Sequence, residues 1–462
     1  MAVKKLNIPS QVSGVLKTIE SEGCRAYIVG QCVSELLRGG TPMDYDIITN
    51  ADFEEMQYIF RDTRIVSRDR RMSSVMVSVL GMVIQVSSYK SGIENGTAVY
   101  TDNYLFDLAG RDFSVNAIAY HPRRGFKDPF DGMECINGDT ITLKAIGEYP
   151  VKLWKENDLD ENELTLKLEP QSCFVTNPAN ILNALIFLGG ENYTIDKVTA
   201  DAVNRNAELL KTLPPDELLS LFTKLLLTRN ISKVMTEFTD VFLTVVPELR
   251  KCTEFEPKTG GCSLWEHIAR SVEFSPPYAD MRYAMLFHNS GKPDCYSEDG
   301  TAEYYYGHAE RGRILAGLFF DNLKAEKRLR DSTDFLIEHH DTVIRDDRAY
   351  LKQLLSDFEA DELKRLIKLR TADDMAMPLV HDGKIAEYRR AVQTLDDIIA
   401  SGECYRMSQL AVKENDLIRR GFAANSRQAQ QIMKYLFDAV LQQPKLNSAP
   451  VLLELVKKAI KK

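Results

Sequence analysis

An α+β fold is what this 462-residue sequence predicts, with a mixed head over residues 1–147 and a helical body after it. Three observations carry the prediction. "AYIVG" (26–30) is a compact apolar strand ending in glycine, and the "CVSELLRG" that follows places Val33, Leu36 and Leu37 on one helical face. "SVMVSVLGMVIQVSSYK" reads as two β-rich runs joined around Leu80 and Gly81, a hairpin. From about residue 172 onward helix patterns dominate, as in "NAELLKTLPPDELLSLFTKLLL" and "APVLLELVKKAIKK". A chain of this length exceeds one ordinary hydrophobic core, so roughly two to four domains are expected.

Composition narrows the class. With 44% hydrophobic and 27% charged residues the chain reads as globular, and no apolar run approaches the roughly 18 residues of a membrane span. The opening "MAVKKLNIPSQV" is basic without an apolar stretch behind it, so no secretory signal is expected and a cytoplasmic location follows. Eight scattered cysteines with no C-x-x-C pair argue against a disulfide framework and against a zinc knuckle. The net charge of −9 speaks against general nucleic-acid binding. It leaves local basic stretches as candidates for that role: "RIVSRDRRM" (64–72), "DELKRLIKLR" (361–370) and "DLIRRGFAANSRQ" (416–428).

The segment "GTPMDYDIITN" (40–50) sets Asp44 and Asp46 among β-formers. Side chains alternate along a strand, so both carboxylates share one face. Two such carboxylates can hold a pair of Mg²⁺ ions that activate an attacking hydroxyl and stabilise a leaving pyrophosphate, as nucleotidyl transfer needs. A glycine-ended strand running into a helix N-terminus offers backbone N–H groups to a triphosphate. "VGQCVSELL" has that form and stands before Asp44 in the chain. Alone, D-x-D is a weak signal whose ordinary meaning is an exposed charged strand end. Further on, "KENDLDENELTLKLEP" (155–170) is acidic and lacks a long apolar period, which fits a connector or surface insertion. "NPANILNALIFL" carries helix start signals, with Asn177 as a candidate N-cap and Pro178 at the first helical position.

Taken in order, "YIVGQCVSELLRGGTPMDYDIIT", "DLAGRDFSVNAIAYHPRRGFKDPFDG" and "NPANILNALIFLGG" resemble the tRNA nucleotidyltransferase family, the CCA-adding enzymes and bacterial poly(A) polymerases of the polymerase-β-like superfamily. "LWEHIARS", "AMLFHNSGKP", "YYYGHAERG" and "IEHHD" look like the HD-type domain fused to some of these enzymes, and "QLAVKENDLIRRGF" with "MKYLFDAVLQQPKLN" is similar to their tail. The resemblance implies a nucleotidyltransferase head at 1–147, a connector at 148–171 and a helical neck for nucleotide and RNA at 172–258. An HD-like domain at 259–375 and a helical tail at 376–462 would follow. It makes Asp44 and Asp46 the Mg²⁺-binding catalytic pair and Gly30 part of the triphosphate cradle. Arg111 would pair with phosphate, Asp112 would accept from a ribose hydroxyl, and Asn116 would brace their loop.

Departures from the family pattern are as informative. Where Gly-Gly-x-Val-Arg-Asp is usual, this chain reads Gly30, Gln31, Cys32, Val33, Ser34 and Glu35. Gln31 puts a side chain where backbone must approach phosphate, and Ser34 removes a positive charge from that approach. Gly110 likewise stands where a second arginine is common. The base-reading pattern Glu-Asp-x-x-Arg falls on Thr176, Asn177, Pro178, Ala179 and Asn180. Two asparagines still hydrogen-bond, but neutral bonds contribute about 1 kcal/mol against roughly 1.5–3 for charged ones, so selectivity should fall. Asn177 reads equally as a plain helix cap.

In the HD-like part, the positions matching His, His-Asp and a distant Asp are His267, His288, Asn289 and Asp341. A neutral Asn289 cannot bridge two metals as a carboxylate can, although His308 and His340 could join a second divalent-metal site beyond the head's Mg²⁺. Three readings follow. The first is an RNA 3′-end nucleotidyltransferase using ATP or CTP, acting on tRNA and not on membranes. The second is a catalytically impaired paralogue serving as an RNA-binding or regulatory protein, and the third is an HD-type metal-dependent phosphohydrolase. The sequence assigns no oligomeric state.

Overall fold

The structure, a computed structural model, describes residues 5–148, 171–258, 261–378 and 382–460. Most of the acidic connector lies outside the described residues. The chain divides into two compact units, Met1–Pro247 and Glu248–Lys462.

The first unit begins with α1 (Ser10–Ser21), β1 (Ala26–Val29), α2 (Gln31–Leu37), β2 (Tyr45–Thr49) and α3 (Phe53–Ile59). There follow β3 (Arg64–Asp69), β4 (Ser74–Val79), β5 (Met82–Ser88), β6 (Lys90–Glu94), β7 (Thr97–Tyr100), α4 (Tyr104–Ala109), β8 (Ala119–His121) and β9 (Gly125–Lys127). Seven of these strands form one sheet in the order β3-β4-β5-β2-β1-β8-β9. Its single parallel pairing is β2 with β5, which sets Asp46 level with Gln85. Strand alternation sorts the side chains. Ile28, Tyr45, Ile47, Ile84 and Val86 enter a core with Val12, Leu16 and Ile19 of α1 and Val33 of α2. Tyr27, Val29, Ile48 and Tyr89 pack on the opposite face with Leu108 of α4. Asp44 and Asp46 share the parity of Ile48, so they project on that second face.

The hairpin around Leu80 and Gly81 is present, with Val79 paired to Met82. Both turn residues are left-handed, Leu80 at φ 50 and Gly81 at φ 84, as a type I′ turn demands. Leu80 is an exposed, branched side chain in a conformation that suits asparagine or glycine. Leu80→Asn should therefore raise stability by about 0.5–1 kcal/mol in urea unfolding.

After β9 come β10 (Ile136–Asn137), β11 (Thr140–Leu143), α5 (Cys173–Thr176), α6 (Ala179–Leu188) and β12 (Tyr193–Ile195). β12 adds in parallel to β11, a strand inside the region expected to be helical. Three residues carry too little periodicity to reveal it. The Asn177 side chain does cap α6, its Oδ1 accepting from the Ala179 N–H at 3.2 Å. Pro178 has helical dihedrals at φ −56.

In the second unit, helices Leu264–Phe274, Ala279–Phe287, His308–Asn322, Lys327–Glu338 and Ala360–Ala376 carry the histidine-rich region. Ser263 opens the first of them with a capping box, its Oγ accepting from the Glu266 N–H and its own N–H donating back to the Glu266 carboxylate, each at 3.2 Å. Further along, Lys352 on helix Arg348–Asp357 is 1% exposed and donates to Glu403 at 3.2 Å. Glu403→Ala would strand that buried ammonium, so a loss of about 3 kcal/mol is expected in denaturant unfolding. Arg348 and then Lys352 hold the Glu403 carboxyl below its ordinary value. The contribution is present above about pH 4.3 and is lost as pH falls through the lowered folded-state value.

Candidate active site

The first site grows from the turn between β1 and α2. Gly30 has φ 83, a left-handed conformation that ends β1 and turns the chain into the helix. A Cβ there would stand 3.4 Å from the Asp46 carboxylate and 3.4 Å from the Arg111 guanidinium. Gly30 thus lets three groups meet: the turn backbone, Asp46 on β2 and Arg111 behind α4. Asp46 pairs with Val29 across the strands. Asp44, just ahead of β2, is exposed. Both line a cleft of about 530 Å³ with Gln31, Cys32, Glu35 and Gln85.

Burial pushes the Asp46 carboxyl above the ordinary range; Arg111 opposes the shift and Asp44 adds to it. A half-buried carboxylate whose ionisation a neighbouring carboxylate makes costlier is suited to a divalent cation, which lowers that cost. The donor set of Asp44 and Asp46 therefore fits Mg²⁺. Cys32 lies in the same cleft but is no nucleophile, since burial pushes its thiol up to about 12.

Arg111 is held from below. Its Nε and Nη2 donate to Asp107 Oδ2 at 3.3 and 3.1 Å, and its Nη1 to the Asn116 carbonyl at 3.4 Å. Asp112 turns the other way: its Oδ1 accepts from the Phe113 N–H at 2.8 Å and from the Asn116 amide at 2.9 Å. Burial raises the Asp112 carboxyl, opposed by those same two hydrogen bonds. Asp107 was not among the expected site residues. Its signal was available, since it stands four residues before Arg111, the spacing of a helical ion pair. Gln85, which lines the cleft, was also missed, because nothing in a strand pattern says which polar side chain faces one; so was Lys90, whose backbone N–H donates to Asp107.

In the neck, Asn177 is exposed, whereas Asn180 is buried and its amide donates to the Cys173 carbonyl at 3.2 Å. The Cys173 N–H donates to the Ile146 carbonyl and the Ile146 N–H to the Asp112 carbonyl, each at 3.0 Å, which places α5 beside the Arg111–Asp112 loop; burial and then nearby Asp112 raise the Cys173 thiol.

Among the described residues, the second unit holds two trios whose ligand-type atoms lie within 4.8 Å of one another, His267–His288–Asp373 and His308–His340–Asp341. The distant acid that joins His267 and His288 is thus Asp373; Asp341 joins the other two histidines. Asp373 Oδ1 is 2.9 Å from His267 Nε2 and 3.1 Å from His288 Nε2, and the Asn289 amide touches both rings at 3.1 and 2.6 Å. The Nδ1–H groups of His288, His308 and His340 donate to the carbonyls of Met285, Tyr305 and Ile337 at 2.7, 2.8 and 2.7 Å. That makes Nε2 the nitrogen of each ring left to accept or to ligate. Burial first, then His288, pushes His340 down to about 3, so its ring is neutral at pH 7. Its Nε2 nevertheless faces His308 Nε2 at 3.1 Å, with Asp341 at 3.3 Å from the latter. Lone pairs converging in this way fit a cation. Arg370 links the two trios, donating to Asp341 at 3.2 Å and Asp373 at 3.0 Å.

Among known proteins, residues 26–142 match the poly A polymerase head domain family. The chain is 28% identical over 229 residues to poly(A) polymerase I of Haemophilus influenzae, covering 46% of this chain and 45% of that one. It is 26% identical over 219 residues to the CCA-adding enzyme of Geobacillus sp., covering 46% and 48%. The chain therefore spans about half the length of the curated relatives it matches. The fold extends further. The Bacillus stearothermophilus CCA-adding enzyme in complex with CTP is similar over 98% of both chains at a TM-score of 0.63 and 19% identity. The Thermotoga maritima CCA-adding enzyme complexed with tRNA is similar over 98% and 96% at 0.54 and 15%. A polymerase-β-like head followed by a helical body is the architecture they share with it.

Proposed function

We propose that this chain is an RNA 3′-end nucleotidyltransferase that adds nucleotides from CTP or ATP to tRNA. One observation carries the reading: Asp44 and Asp46 share a face at one cleft, with Gly30 and Arg111 gathered against Asp46. Mg²⁺ held by these two carboxylates would supply charge neutralisation at the transferring phosphate and a more acidic attacking hydroxyl. The protein's own share is positioning. Arg111, locked by Asp107, presents a fixed positive fork to phosphate, and Asp112, braced by Asn116, offers its remaining oxygen to a ribose hydroxyl. In the neck, exposed Asn177 is the side chain available to a base edge, while Asn180 sets the helix against α5. Support also comes from the head-domain match and from CCA-adding enzymes sharing the fold. The test is pyrophosphate release from CTP and ATP. Release that requires Mg²⁺ and tRNA lacking its terminal CCA supports the reading, and no release with either nucleotide contradicts it.

A different observation favours a second divalent cation in the HD-like part. His308 and His340 present facing Nε2 atoms beside Asp341, and the Nε2 atoms of His267 and His288 gather at Asp373. Purified protein should retain a transition metal such as Mn²⁺, Ni²⁺ or Zn²⁺ on elemental analysis, and His308→Ala/His340→Ala should lose most of it. Equal metal content in both proteins would remove this proposal.

A further inference from the structure

We infer that Lys90 binds the triphosphate of the incoming nucleotide and supplies the positive charge that Ser34 does not, an inference that rests on the transferase reading above.

Lys90 opens β6, with Tyr89 alone between it and the end of β5. Its backbone N–H donates to Asp107 Oδ1 at 3.3 Å, while Asp107 Oδ2 holds Arg111 at 3.1 Å. One buried carboxylate therefore fixes the positions of two cationic residues. Their charges differ in what they do. The Arg111 guanidinium is engaged by Asp107 and by the Asn116 carbonyl. The Lys90 ammonium is half-buried and has no ion-pair or hydrogen-bond partner among the described residues.

A cation partly stripped of water and given no counter-ion is costly unless something anionic completes it. The groups around it narrow the choice. Burial lowers the Lys90 pKa; Asp107, Asp69 and Asp46 attract the ammonium and Arg111 repels it. Asp107 is committed to Arg111, and Asp69 accepts from the Met72 N–H at 3.0 Å. Asp46 is the carboxylate whose charge a divalent cation would offset. With that charge offset, Arg111 and Lys90 are left with Asp107 alone between them, a positive balance beside Asp46 that suits a polyphosphate.

The other side of the turn lacks such a charge. Ser34 is buried and its Oγ donates to the Gln31 carbonyl at 2.8 Å, so it offers nothing to a phosphate. A lysine ammonium, a compact charge with three donors on a flexible stem, can serve phosphate from Lys90 without bidentate geometry.

The test is calorimetric titration of the full chain with the Mg²⁺ complex of α,β-methylene-ATP, and separately with AMP, in unsubstituted, Lys90→Gln and Lys90→Arg proteins. Lys90→Gln should weaken analogue binding about tenfold or more, Lys90→Arg by less than about threefold, and AMP binding should not change. Equal analogue affinity in Lys90→Gln overturns the inference, as does an equal loss for analogue and AMP, which would mark a structural role. No analogue binding by the unsubstituted protein contradicts the transferase reading and takes this inference with it. Binding by the unsubstituted protein that Lys90→Gln leaves intact contradicts the Lys90 role alone.

Discussion

Asp46→Asn is expected to lower nucleotide incorporation by about a thousandfold or more while tRNA binding stays within a few-fold. The asparagine is isosteric and sits in a strand paired on both sides, with Val29 and with Gln85, so the sheet has no reason to move. What disappears is the charge. Asp46 is the half-buried member of the pair, raised by burial and by Asp44, and an amide there removes the site's main attraction for a divalent ion. Asp44→Asn should act in the same direction with a smaller loss, because Asp44 is exposed and water can take over part of its role. Single-turnover incorporation and filter-binding of tRNA separate the two effects. A variant that keeps its rate would dissociate the carboxylates from the chemistry.

Gly132→Ala is expected to destabilise the first unit by about 3 kcal/mol or more. Gly132 is buried, and its N–H donates to Asp128 at 2.7 Å. An added Cβ would stand 2.1 Å from the Ser114 carbonyl oxygen, 2.7 Å from its carbon and 2.8 Å from Ile118 Cγ1. The first two are backbone atoms that cannot swing aside. Ser114 opens the short turn Ser114–Asn116 from which the Asn116 amide reaches Asp112, so relief of the clash would displace that amide. Chemical denaturation should show a lower midpoint, and residual folded protein should bind nucleotide more weakly. An unchanged midpoint would mean that the turn yields more easily than its burial implies.

Local patterns in the sequence led far into the site. The glycine at the end of β1, the paired aspartates of β2 and the Leu80–Gly81 turn are short-range features whose geometry follows from alternation and positive φ. The Asn95–Gly96 pair is a further hairpin signal, and both residues have positive φ at the tip of β6 and β7. Asp107 was readable from its spacing to Arg111. Asp373 was not, because it meets His267 across 106 residues and no local period encodes that encounter. Taking Asp341 as the distant acid followed the sequence order; packing gives it instead to His308 and His340. Lys90 belongs to the same class, since its meaning depends on a carboxylate brought from α4.

The most direct measurement is gel-resolved extension of tRNA lacking its 3′ CCA, with Mg²⁺ and labelled CTP or ATP, by the unsubstituted chain and by Asp44→Ala/Asp46→Ala. Extension by the first protein and none by the second is the expected result, and the nucleotides added would show what Asn177 reads. Folded protein that binds this tRNA and extends it with neither nucleotide would contradict the transferase reading and leave an RNA-binding paralogue in its place.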